Sequence, residues 1–220
     1  SIIENGLAGI NPMDQWRVLD LAKQVFELSL SHLDDYVPFI NRRFTFEFMV
    51  NQNSSGMNWQ HGETYLSSSI YKATSYATSN WMGSELLTNT ADFLRELIKR
   101  NVPEAVNKLY REFPEVYELL ESSPSALLIE IPGLCSKDLK SEKGGDALED
   151  LEFVLNNQEI EDEDLLFKNF RLTKGIECEN LKIYMINVTQ WLPGPFGARR
   201  KCDFYRITPE RDFSLKLNHA

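Results

Sequence analysis

The sequence has 220 residues, 42% hydrophobic and 11% aromatic, enough apolar side chain to bury a core as one domain over residues 1–220, which excludes a disordered tail. No apolar run approaches the roughly 18–20 residues of a membrane helix, so no membrane partner is expected. Lys and Arg total 23 against 33 Asp and Glu, a net charge of −10, and this field repels polyphosphate backbones, which disfavours extended nucleic acid.

Asn11-Pro12 reads as a helix cap followed by proline in the first turn, and Trp16, Leu19, Val25, Phe26 and Leu30 recur at helical spacing. One long amphipathic helix is predicted from Pro12 to Leu33. In Phe44 to Val50, the alternation of Phe44, Phe46 and Phe48 with β-branched neighbours predicts a strand. The polar, glycine-containing stretch Asn51 to Gly62 predicts a loop. Tyr65 to Ser67 reads as a short strand feeding a helix from Ser69 to Ala77, with Ile70, Ala73 and Ala77 on one stripe.

Helical spacing resumes at Ser84 to Ile98 and again at Pro103 to Leu120, and Ser84 to Ser123 is read as an inserted helical layer. Beyond Pro124 the texture is β. Strands are predicted at Ala126–Ile131, Glu152–Leu155, Leu181–Ile186 and Phe204–Ile207, and Cys135 to Leu148 as a mobile loop. Helices early and short strands late define an α+β class rather than alternating units with a parallel sheet.

Three cysteines without a C-x-x-C pair and three scattered histidines argue against a disulfide framework and against a metal site. Reduced thiols fit a cytoplasmic protein. The chain opens on Ser1 rather than Met, which suggests a processed chain.

The most informative stretch is Gly62-Glu63-Thr64-Tyr65-Leu66-Ser67-Ser68-Ser69-Ile70-Tyr71-Lys72-Ala73-Thr74-Ser75-Tyr76-Ala77. Tyr65 at a strand end and Tyr76, about three helical turns on, present two aromatic faces across one cleft. A flat cationic ring fits between such faces, with a cation–π contribution of about 0.5–2 kcal/mol.

These residues resemble the mono-ADP-ribosyltransferases of the diphtheria-toxin and poly-ADP-ribose-polymerase type. The likeness continues through Leu128-Ile129-Glu130-Ile131-Pro132-Gly133-Leu134, similar to a core strand with its exit turn, to Glu149-Asp150-Leu151-Glu152-Phe153-Val154-Leu155, similar to the strand whose leading glutamate is catalytic. The resemblance implies a split antiparallel β-sheet core around an NAD cleft. It implies NAD as co-substrate, with Tyr65, Ser67 and Tyr76 in the NAD-binding motif and Glu152 as the catalytic acid. The residue that anchors the NAD ribose is expected on a strand before Ser1, or at Arg42 or Arg43; His61-Gly62 is a further candidate. Asp150 stands where the arginine-modifying group carries a glutamate, which disfavours arginine as acceptor. The acceptor is expected to be a protein, and the setting a bacterial effector or toxin acting in a target-cell cytosol.

Competing readings remain. The acidic run Glu159 to Asp164 lacks the glycine and ligand spacing of a calcium loop and reads as a solvated turn. Arg199-Arg200-Lys201 is a basic cluster suited to a diphosphate or an acidic partner, or a plain exposed turn. Ser67, Ser68 and Ser69 have no histidine partner in a hydrolase context. A non-catalytic interaction domain that keeps the transferase fold is the alternative class.

Overall fold

The computed structural model describes residues 2–9, 11–51, 62–114, 121, 124–142, 144–157, 168–192 and 199–207. His61, Trp59, most of the predicted 51–62 loop, the end of the Pro103–Leu120 helix and the acidic run 159–164 lie outside them.

The first half is helical: α1 (Ile2–Asn5), α2 (Pro12–Gln15), α3 (Val18–His32), α4 (Val37–Asn51), α5 (Ile70–Ser79) and α6 (Glu85–Lys99). A π-helical stretch, Glu104–Leu109, runs into α7 (Tyr110–Glu112). The predicted Pro12–Leu33 helix is divided, because Arg17 takes a left-handed conformation, φ 50°, between α2 and α3. Its side chain pairs with Asp20 at 3.1 Å and lies over the Phe113 ring at 5.0 Å.

The predicted strand at Phe44–Val50 is instead the second half of α4. Phe39, Phe46, Met49 and Val50 are buried, a spacing of seven, ten and eleven residues from Phe39 that lines one helix face. Alternation over three phenylalanines was too short to compete with that longer period. Phe44 is left 69% exposed and packs edge-on against Phe48, one turn on, at 4.3 Å.

The rings of Phe26, Phe39, Phe46 and Phe93 knit α3, α4 and α6 together, with centroids 5.1–6.2 Å apart. Each fully buried ring contributes about 1.5–3 kcal/mol. This core runs without interruption from Val18 through Val50 and from Met82 to Phe113. The part of the expected insertion from Ser84 to Phe113 therefore shares one core with the N-terminal helices.

The β residues form two small antiparallel sheets. In the first, β1 (Tyr65–Ser67), β4 (Asn169–Leu172) and β3 (Leu139–Ser141) lie in the order β1-β4-β3. In the second, β2 (Leu127–Glu130), β5 (Lys182–Leu192) and β6 (Arg199–Ile207) lie in the order β2-β5-β6, with a register shift between Val188 and Gln190. The protein is thus mixed α+β. Helix α5 packs against β1, β2 and β5 and so touches both sheets. At the N-terminus, Leu7 and Ile176 exchange backbone hydrogen bonds, and Gly6, at φ 68°, lies where a Cβ would meet the Ile176 carbonyl at 2.3 Å.

Two further expectations are corrected. Glu152–Leu155 is not a strand but part of α8 (Leu148–Asn156). Leu148, Leu151 and Leu155 recur at helical spacing, Asp146 accepts from the Leu148 amide, and Glu149 and Asp150 favour the positive end of the helix. Cys135 to Leu148 is not simply a loop, since it holds a 3₁₀ turn (Ser136–Asp138) and β3. Its anchor is Asp138, buried, which accepts from the Cys135 thiol and amide and pairs with Lys174 at 2.9 Å.

Candidate functional site

The predicted strand–helix unit forms as read. Ser69 caps α5 by accepting from the Lys72 amide at 3.2 Å, and Ser67 Oγ accepts from the Ser69 amide at 3.2 Å. Ser68 Oγ donates to the Lys168 carbonyl. The serine row is therefore engaged in building the β1–α5 turn, and it leaves Tyr65 on the strand and Tyr76 on the helix, 42% and 45% exposed.

Burial of the hydroxyl, then the neighbouring Glu85 charge, pushes the Tyr76 phenol up to about 12, against a backbone hydrogen bond from Glu85. Desolvation, then Glu63, also raises the Tyr65 phenol, with Arg171 opposing. Both rings are therefore neutral phenols at physiological pH. Glu85, at the start of α6, has its own carboxyl raised by desolvation and opposed by Lys72.

Helix α5 is fixed from the second sheet. Arg200 on β6 donates to Ser75 Oγ at 2.9 Å and Ser79 Oγ at 2.7 Å, on either side of Tyr76, and stacks over Trp191 at 4.5 Å. The basic cluster read from sequence thus supplies a clamp for α5. Sequence gave no sign of that pairing, nor of Glu85, because both depend on contacts between distant segments.

Glu152 is exposed on α8. The helix is joined to the first sheet by Asp150, paired with Lys168 at 2.5 Å, and by Phe153, whose ring lies 4.7 Å from the Lys168 ammonium. Lys168 in turn adjoins the Ser67–Asn169 pair of β1 and β4. Glu152 is about 100° round the helix from Phe153 and about 200° from Asp150. Among the described residues it forms no hydrogen bond or ion pair with Tyr65, Ser67 or Tyr76. Asp150 and Lys168 thus tie α8 to the lead-in of β4, whose Asn169 faces Ser67 of β1, and among the described residues no ring contact joins Tyr65 to Tyr76.

The arginines expected before a strand sit on α4. Arg42 bonds Asp92 at 2.8 Å and Asn89 at 3.0 Å and lies over the Phe93 ring, while Trp81 donates to the same Asp92. Arg42 thereby joins α4 to α6. Arg43 is exposed on α4, a helix that packs on α3 and α6.

Among the described residues no group of three metal-ligating side chains converges, and no helix is long and apolar enough to cross a membrane. Cys135, Cys178 and Cys202 are free thiols. No protein-family model, curated protein or solved structure matches this chain.

Proposed function

We propose that this protein is an NAD-dependent mono-ADP-ribosyltransferase whose acceptor is a protein, with the two antiparallel sheets as its split transferase-like core. The observation that supports the reading is the β1–α5 unit, which carries Tyr65 and Tyr76, both part-exposed, on one strand and the helix that follows it. Two such rings suit the positively charged nicotinamide of NAD, which each attracts through its π-face. Ser67 Oγ accepts from the Ser69 amide in the same turn.

In the reaction the bond between nicotinamide nitrogen and ribose C1′ breaks, and its electron pair leaves with nicotinamide. The acceptor nucleophile bonds to C1′, and its proton passes to solvent. Positive charge builds on the ribose as the bond lengthens, as in glycoside cleavage. A carboxylate beside the ring stabilises that charge. Glu152 is assigned this role on the sequence resemblance; it lies on α8, which Asp150 and Lys168 tie to the lead-in of β4, the strand paired with β1. The free thiols and net charge of −10 fit an effector that works on proteins in a reducing cytosol.

The test is nicotinamide release from NAD by wild type, Glu152→Ala and Tyr76→Ala, with circular dichroism as the folding control. Release by wild type that vanishes in folded Glu152→Ala and needs far more NAD in Tyr76→Ala is the expected result. Silence from wild type with a labelled-NAD and lysate assay also negative sinks the enzyme and leaves a non-catalytic interaction domain.

A further inference from the structure

In the second sheet β6 is an edge strand of 9 residues, paired with β5 on one side and, among the described residues, with no strand on the other. Lys201, Asp203, Phe204, Tyr205 and Arg206 are all exposed along it. Unpaired N–H and C=O groups on an edge are a template for another strand, which folded proteins blunt with shortness, a proline or a bulge. β6 is long for an edge and carries no proline, and the extra residue at the register shift, Thr189, lies on β5 instead.

The ladder fixes which backbone groups are free. The Ile186 amide donates to the Ala126 carbonyl at 2.9 Å, so the even-numbered residues of β5 turn to β2. The odd ones, Ile183, Met185 and Asn187, turn to β6 and bond with Ile207, Tyr205 and Asp203 opposite them. Cys202, Phe204 and Arg206 therefore turn their N–H and C=O groups to the open edge. The Lys201 carbonyl points inward, as this alternation requires, and accepts from Thr189 Oγ1 at 3.0 Å.

We infer that β6 pairs antiparallel with β6 of a second copy of this chain, about a two-fold axis at Cys202, to make one six-stranded sheet. Centred there, the residues with open backbone groups meet one another, Cys202 on its own copy and Arg200 on Phe204, and Lys201 lies opposite Asp203 once on each side of the axis. Opposite charges directly across a ladder attract and like charges repel. A centre at Lys201 sets lysine on lysine, and a centre at Asp203 sets aspartate on aspartate and Arg200 on Arg206. A centre at Phe204 makes no opposite-charge pair. The charge pattern of β6 is thus complementary to itself in one register.

The same axis suits the layers. Residues opposite one another in neighbouring strands share a face, and Arg200 marks the face that carries α5 through its bonds to Ser75 and Ser79. Both α5 helices then stand on one side of the joined sheet. An edge ladder buries less than a standard interface, so association in the micromolar range is expected. The inference is independent of the proposed transferase activity, because none of the residues on this edge is assigned a part in that reaction.

Sedimentation velocity of the full chain over a concentration series tests it, and wild type is expected to pass from monomer to dimer. Asp203→Lys turns both charge pairs into lysine pairs and should weaken dimerisation about tenfold, and Lys201→Asp should do the same through aspartate pairs. The double variant, Lys201→Asp with Asp203→Lys, rebuilds both pairs in reverse and should restore association, a rescue specific to this register. Both positions are exposed, and an unchanged circular dichroism spectrum confirms the fold of each variant. With Cys135 and Cys178 replaced by serine, a short bis-maleimide should join two chains through Cys202, each thiol adding across one maleimide double bond, and Cys202→Ser should abolish the product. A monomer at every concentration up to about 1 mM, a dimer indifferent to the single charge changes, a double variant that fails to recover, or a dimer that Cys202 does not cross-link overturns the inference.

Discussion

Asp150 and Lys168 meet at 2.5 Å, and that ion pair fastens the helix carrying Glu152 to the strand beside β1. Both side chains are about three-quarters covered, and the Lys168 stem also lies against Phe153. Lys168→Ala is expected to lower unfolding stability by roughly 0.5–1 kcal/mol, in the range of partly exposed pairs. Its effect on nicotinamide release is expected to be larger than that loss implies, because α8 would no longer be held in register with β1. Urea unfolding and release kinetics on Lys168→Ala and Lys168→Arg check this. Full activity in both variants would show that the pair does not orient Glu152.

Asp138 is the anchor of the Cys135–Ser141 segment, and its partners set a pH dependence. The Cys135 thiol, then Lys174, hold its carboxyl down to about 2. A carboxyl depressed in the folded state gives stability that is fully present above its unfolded value, near 4, and is lost as pH falls towards about 2. Asp138→Asn is therefore expected to be less stable at neutral pH and to have a flatter acid limb over that window. The same contact raises the Cys135 thiol, so its alkylation should be slow in wild type and faster in Asp138→Asn. Thermal melts from pH 7 to 2 and timed alkylation read the two effects separately.

The parts of the fold that sequence disclosed are those with strong local signals. The helices expected to begin at Ser69 and Ser84, the stripe of α6 and the strand at Tyr65–Ser67 all formed where the spacing put them. The failures share a cause. Phe44–Val50 and Glu152–Leu155 are short runs whose alternation or apolar content suits a strand, yet each continues a longer helical period begun upstream, at Val37 and Leu148. β4, only four residues long, takes its identity from its partners on either side, with Phe170 buried between them. At the candidate site, the strand–helix unit that carries Tyr65 and Tyr76 was legible because its signals are local. The Arg200 clamp and the Glu85 carboxyl were not, since each depends on a contact from outside that unit.

Tyr76 gives a spectroscopic handle on the cleft. Its phenol, pushed up to about 12, ionises later than an ordinary tyrosine near 10. Between these values the unfolded chain releases the proton while the folded chain keeps it, so stability falls as pH rises through that range. Tyr76→Phe is expected to remove one late step from the alkaline phenolate titration and to lessen that fall in stability. Glu85→Gln, which removes the adjacent charge, should move the Tyr76 step to lower pH. A titration in which Tyr76→Phe deletes an ordinary phenol instead would show that the hydroxyl is solvated.

Arg42 separates a structural from a ligand-binding arginine. It bridges α4 to α6 through Asp92 and Asn89 and covers the Phe93 ring at 4.6 Å, with about a third of its side chain exposed. Arg42→Ala leaves Asp92 with Trp81 alone and uncovers a core ring, a loss expected to cost about 1–3 kcal/mol. Arg42→Lys restores the charge but not the planar stack, so it should recover only part of that stability. Arg43→Ala, on the exposed face of the same helix, should stay within about 0.5 kcal/mol of wild type. Chemical unfolding ranks the three variants, and the NAD dependence of nicotinamide release gives the second axis. An arginine that anchors the NAD ribose would raise KM with little change in unfolding, the opposite of what the Asp92 and Phe93 contacts demand of Arg42; stability lost together with an unchanged KM identifies it as the bolt between two core helices.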